Sequence, residues 1–281
     1  MLDKQKLQIR KPAVAGQFYP GNHKDLHNML DGLFASVEKD EELVNKHVNA
    51  LIAPHAGYIF SGKQAAKAYQ YLKKDEYDLV CVISPSHREY FSAVTVFPGD
   101  AYRTPLGDCH IHQPARDMIL TYTGITAGVQ GHKGEHALEV QLPFIQYVLG
   151  DVPILPLVMG DQSQDMINRA AKCIMELYGT YGDKILFVAS SDLSHFHSAD
   201  IAGDMDGEFI NLLAKVKLDT LYEKIYRDEL EACGCGPILA LMKGLDISET
   251  EIRMLGYSHS GEVLNDNNSV VGYTSAVMNK G

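Results

Sequence analysis

Three short apolar runs in this chain each stop at a loop built from Pro, Ser, His or Asp, and this restricts the fold more than any other feature. Residues 48–53 (VNALIA) lead into Pro54-His55-Ala56-Gly57-Tyr58. Residues 78–83 (DLVCVI) lead into Ser84-Pro85-Ser86-His87. Residues 184–189 (KILFVA) lead into Ser190-Ser191-Asp192-Leu193-Ser194-His195. Short apolar runs bounded by turn formers read as strands buried on both faces. Between the first two, residues 61–74 open on a Ser cap candidate, Ser61, and carry Ala and Tyr at helical spacing. This is a strand–helix–strand unit, which favours parallel pairing.

The alternation continues. Residues 92–97 read as a strand and 136–149 as a helix, with Leu138, Leu142, Ile145 and Leu149 on one face; Pro143 either kinks that helix or marks its start. Strands at 153–158 and 184–189 enclose a helix at 163–178, helical patterns follow at about 200–215 and 237–245, and strands at 251–258 and 270–277 end the chain. The expectation is an α/β protein: a single domain over residues 1–281, folded as a three-layer α/β/α sandwich around a largely parallel or mixed sheet. Ligand sites in such sheets lie outside the carboxyl ends of the strands. Parallel strands would therefore bring His55, His87, Asp192 and His195 to one edge.

Charge narrows the function. The 281 residues carry 25 Lys+Arg against 36 Asp+Glu, a formal net charge of −11. A nucleic-acid binder takes most of its affinity from neutralising phosphates, so no nucleic-acid partner is expected. The basic cluster from Lys4 to Lys11 is short and reads as a solvated end. The opening MLDKQKLQIRKPAVAG has no apolar core of signal-peptide type, and no apolar run reaches membrane-span length. The protein is expected to be cytoplasmic, with no membrane association.

His55 and His87, each past a strand and beside a proline, are candidate metal ligands, because imidazole is the commonest side-chain ligand and needs a rigid mount. The bland alternative is a turn histidine bonded to backbone. Asp192 and His195 have three readings: ligands, groups that orient a ligand, or a general acid/base pair. Otherwise Asp192 merely caps a helix and His195 is exposed. Glu135 and His136 either line the same edge or form a helix start. Cys81 and Cys173 read as core. Cys233 and Cys235, in Ala-Cys-Gly-Cys-Gly-Pro before a helix, are placed where the helix end lowers a thiol pKa, which suits a ligand or a redox group. One Cys-x-Cys pair excludes a Cys₄ zinc site. His110 and His112 read as surface. No Gly-x-Ser-x-Gly elbow supports a serine nucleophile.

Seven motifs, in order, carry a resemblance: AGQFYP (15–20), APHAGY (53–58), SPSH (84–87), YRTPLG (102–107), EHALEVQLPF (135–144), SSDLSH (190–195) and CGCGP (233–237). Together they resemble the Memo family, called AmmeMemoRadiSam system protein B in prokaryotes. The resemblance implies a fold like the class III extradiol dioxygenases, which hold non-haem iron with two histidines and a carboxylate. It implies one metal ion on His55, His87 and Cys233, the cysteine replacing the carboxylate, with Asp192 and His195 as further pocket residues; the acid/base reading makes these two the candidate catalytic residues. Cys235 departs from the family pattern. Fe(II) or Cu(I) is the expected ion, with Zn also compatible. The implied role is redox or metal handling, and efficient extradiol cleavage is not expected from a thiolate-bearing site. The rival readings are a peptide- or partner-binding cleft and a metallohydrolase using Asp192 and His195. A radical-SAM protein and an AMMECR-type protein are the implied partners.

Overall fold

A computed structural model of the chain describes residues 7–246 and 250–280. Lys4 and Lys6 of the basic cluster therefore lie outside the described residues. Nine strands form the main sheet: β1 (Ala50–Ala53), β2 (Leu79–Pro85), β3 (Val94–Val96), β4 (Ile125–Ala127), β5 (Ile154–Met159), β6 (Ile185–Ser190), β7 (His195–His197), β8 (Thr250–His259) and β9 (Val270–Lys280). The order is β7-β9-β1-β6-β2-β5-β3-β4, with β8 also pairing β9. β1, β6, β2 and β5 run parallel, whereas β9 is antiparallel to β1 and β3 to β5. The sheet is mixed, with a parallel centre.

Side chains alternate between two cores, as the period of a strand requires. On β2, Leu79, Cys81 and Ile83 face one helix layer, and Val80 and Val82 face the other. The N-terminal layer contains α1 (His23–Ala35), α2 (Tyr58–Tyr69) and α3 (Leu142–Leu149); the other contains α4 (Gln164–Tyr181), α5 (Ala199–Ala214) and α6 (Cys235–Gly244). This is a three-layer α/β/α sandwich. Cys81 and Cys173 are fully buried in it, and Cys235 packs into the same core. Each fully buried Val, Leu or Ile contributes about 1.5–3 kcal/mol.

Several sequence expectations need correction. α2 begins at Tyr58, not at Ser61, because the Tyr58 N–H is taken by the Phe18 carbonyl and extended Gly57 serves as the cap residue. Ser61 lies inside the helix and its hydroxyl donates to the Ala56 carbonyl. The helix expected over 136–149 is regular only from Leu142, after a 3₁₀ turn at Glu139–Gln141; Pro143 sits in the first turn, where its missing N–H costs nothing. Arg10 is not a solvated end. It is 7% exposed and pairs with fully buried Glu139. Its guanidinium also donates to the carbonyls of His132 and Glu135. Glu139 further accepts from the N–H groups of Ala13 and Val14 and from the Tyr19 hydroxyl. The AGQFYP segment is thereby pinned onto the loop that carries Glu135 and His136. The sequence expectations also lack helix α1, although Leu26, Met29, Leu30 and Leu33 recur at helical spacing behind the Asn22 cap, and the hairpin Ala101–Thr104/Gly107–His110.

Candidate metal centre

The four parallel strands end at one edge. His55 follows β1, Asp192 follows β6 and His87 follows β2, and because β6 lies between β1 and β2 the three loops converge. His136 arrives from the loop before α3. The ligand nitrogens of His55, His87 and His136 all lie within 4.8 Å of one another, with ring centroids 4.7–5.5 Å apart.

Hydrogen bonds on the far side of each ring prepare its nitrogen. Glu135 accepts from the backbone N–H of His87, from His87 Nδ1 at 3.0 Å and from the N–H groups of His136 and Ala137. Burial alone would raise this carboxyl, but those donors, with His87 foremost, hold it at about 2. An ionised Glu135 fixes the proton of His87 on Nδ1 and leaves the lone pair on Nε2. This carboxylate–histidine pairing is the usual support of a metal-bound imidazole.

His55 is prepared by a different chain. The Tyr69 hydroxyl donates to Gln141 Oε1, so Gln141 Nε2 faces Ser190 Oγ and donates to it at 2.8 Å. Ser190 gives its own proton to the Ala137 carbonyl at 2.7 Å. Its remaining lone pair accepts from His55 Nδ1 at 2.9 Å, which puts the ring proton on Nδ1 and leaves Nε2 of His55 as an acceptor facing Cys233 Sγ. His55 is 1% exposed, and burial, then the neighbouring imidazoles His87, His136 and His195, pushes its pKa well down. Burial also lowers His136 to about 4. His136 Nδ1 is 3.2 Å from Glu135 Oε1 but has no properly aligned hydrogen bond. Neutral imidazoles with prepared lone pairs are what a cation requires.

Cys233 Sγ lies 3.1 Å from His55 Nε2 and 3.3 Å from the Asp192 N–H. Gly234 makes this approach possible, since a Cβ there would sit 2.2 Å from the Ser190 carbonyl oxygen. The expectation of an acidified thiol does not hold. Burial, then the Asp192 carboxylate, pushes the Cys233 pKa up, outweighing the helix end that follows. Without a cation beside it, Cys233 is a thiol.

Asp192 is no helix cap. It is 4% exposed, and its Oδ1 accepts from the N–H of His55 at 2.7 Å. Burial raises its carboxyl to about 7, partly offset by that bond. His195 is half-buried at the start of β7; its backbone N–H donates to Glu231, which also holds His197. Burial lowers the His195 pKa. Asp192, His195 and His136 share a cavity of about 490 Å³ whose walls include Phe18, Ile59, Phe60 and Tyr273. The structure thus brings His55, His87, Cys233, Asp192 and His195 to one edge, leaving His110 exposed and His112 as the cap of a short helix. The supporting roles of Ser190, Gln141 and Glu231 were missed. The first two stand inside quoted motifs, but their task depends on partners about 50 residues away or more.

A family model described as Memo-like protein matches residues 10–277. A MEMO1 family protein of Methanosarcina barkeri is 37% identical over 274 residues, covering 96% of this chain and all of that one. Those of Thermoplasma volcanium and Thermotoga maritima are 34% and 32% identical, each covering 96% of this chain and 98% or more of their own length. Among solved structures, an uncharacterized protein from Escherichia coli K12 superposes with a TM-score of 0.50 at 13% identity, covering 82% of this chain and 99% of that one. That likeness concerns the fold. Among the described residues, no helix is long and apolar enough to cross a membrane.

Proposed function

The chain belongs to the Memo family, and from that premise we propose that its strand-end cluster binds one iron or copper ion in a redox or metal-handling role. The observation that carries this reading is the pair of unprotonated Nε2 atoms on His55 and His87, each set by a hydrogen bond at the opposite nitrogen, with Cys233 Sγ 3.1 Å from that of His55. These two imidazoles, with Cys233 as the third ligand, suit iron and copper, and zinc as the redox-silent alternative. His136 stands close enough to serve as a further ligand. A bound ion would supply Lewis acidity and, for iron or copper, one-electron chemistry.

The chain's own groups have separable tasks. Glu135 and Ser190 orient the imidazoles. Cys233, a thiol in the protein alone, would hold an ion as its thiolate. Asp192, with its carboxyl near neutral, is suited to accept the thiol proton or one from a ligand in the cavity. His195, at the cavity wall, is suited to the same exchange.

The test is metal content after anaerobic reconstitution of the wild type and of the His55→Ala, His87→Ala, Cys233→Ala and His136→Ala variants. With Fe(II) as the added ion, one equivalent is expected in the wild type, with loss in the first three variants and retention in the fourth. Full retention in both His55→Ala and His87→Ala would reject the site.

A further inference from the structure

A second group of histidines lies away from this cluster. A cleft of about 440 Å³ is bounded by α1, the hairpin Ala101–Thr104/Gly107–His110 and the end of α3, and His23, His27, His110, Tyr147 and Asp151 line it. It reaches Gly150 and Asp151, which precede β5 at the amino edge of the parallel strands, opposite the edge that holds His55 and His87.

His23 and His27 are one turn apart on α1, with stacked rings 6.1 Å between centroids. Imidazoles at i and i+4 share a helix face, the spacing by which helices chelate zinc. His27 Nδ1 lies 3.1 Å from Asp31 Oδ2, and Asp31 Oδ1 accepts from the Tyr147 hydroxyl at 2.6 Å. The anchored carboxylate accepts from Nδ1–H, which keeps the proton on Nδ1 and leaves Nε2 of His27 bare. This is the arrangement that Glu135 gives His87. Exposed His110, on the hairpin, lines the same cleft. Its neighbour Asp108 is held by Arg103 in a two-pronged ion pair, so it contributes charge rather than a ligand atom.

We propose that this cleft is a second metal site, taking one borderline divalent ion of the Zn(II) or Cu(II) kind on His23 and His27, with His110 as the third ligand. Imidazole donors select such ions over Ca²⁺ and Mg²⁺, which demand oxygen shells. The three side chains are exposed and line one cleft, and they would close on an ion by rotation about their side-chain bonds, since His55, His87 and His136 are the group already drawn together among the described residues. The site therefore exchanges its ion more readily than the buried cluster.

The experiment titrates tag-free, metal-free full-length protein with Zn(II) by calorimetry and with Cu(II) by electron paramagnetic resonance. Wild type is compared with His23→Ala/His27→Ala, Asp31→Asn and His55→Ala/His87→Ala. The surface double variant is expected to lose one equivalent per chain, together with the nitrogen hyperfine signal of that copper. Asp31→Asn should keep the stoichiometry and bind about 10–100-fold more weakly, the usual effect of removing a histidine's carboxylate partner. The buried-site variant should still bind one ion, so failure of the strand-end site and failure of this one are read separately. A surface double variant that titrates like the wild type would overturn the proposal.

Discussion

Glu135 has the largest task of any single residue. One carboxylate holds the backbone of two histidines and the ring of one. Glu135→Gln keeps the shape but can no longer accept at both oxygens. The expected outcome is metal affinity reduced about 10–100-fold with stoichiometry preserved, measured by competition with a chelator of known strength. His87→Ala, by contrast, should abolish binding at the strand-end site. Equal affinities for Glu135→Gln and wild type would show that His87 needs no orienting partner. At the same scale, Gly234 is required for packing rather than for backbone conformation, because the Ser190 carbonyl occupies the space of a Cβ.

Among elements, the buried Arg10–Glu139 pair decides whether the N-terminal segment stays on the sheet. Arg10→Ala leaves Glu139 charged and buried, which costs about 3–5 kcal/mol. Replacing both by apolar residues should not recover the loss, because the N–H groups of Ala13 and Val14 and the Tyr19 hydroxyl would lose their acceptor. Chemical denaturation of the single and double variants checks both statements. The same segment supplies Phe18, whose ring meets His136 at 5.0 Å. The Arg10 variant should therefore also lose order in the His136 side chain, visible as a shift of its ring resonances. AGQFYP, legible only as a motif in the sequence, thus has a physical role as a strap under the site.

For the whole molecule, acid sensitivity follows from buried neutral histidines. His132 is 1% exposed, packed among Arg10, Tyr102 and Phe97, and burial lowers its pKa to about 3. In the unfolded chain it titrates near 6.5. Between these values the unfolded state binds the extra proton, so stability is fully present above about 6.5 and falls as the pH drops toward 3. Each such histidine gives a slope of about 1.4 kcal/mol per pH unit. His136 acts in the same direction, while Asp192, raised to about 7, opposes them as its carboxyl protonates. His132→Gln isolates one contribution. Its urea midpoints between pH 4 and 6.5 should decline less steeply than those of the wild type, in buffer containing a chelator. Parallel curves for the two proteins would exclude His132 as a source of the acid sensitivity.

What the sequence alone determined was local. Apolar runs of strand length, each closed by a polar loop, dictate a sheet buried on both faces and put His55, His87 and Asp192 at strand ends, since hydrophobic period and turn chemistry are encoded within a few residues. Its seven ordered motifs also sufficed for the family. Tertiary structure alone decided which residues serve which. β6 inserts between β1 and β2, and that crossover makes His55, Asp192 and His87 neighbours. His136 joins them because Arg10, about 125 residues earlier in the chain, binds the carbonyl of Glu135. The thiol of Cys233 is likewise governed by its surroundings rather than its place before a helix: desolvation and an adjacent carboxylate outweigh the helix end, and both arise only when the chain has closed around them.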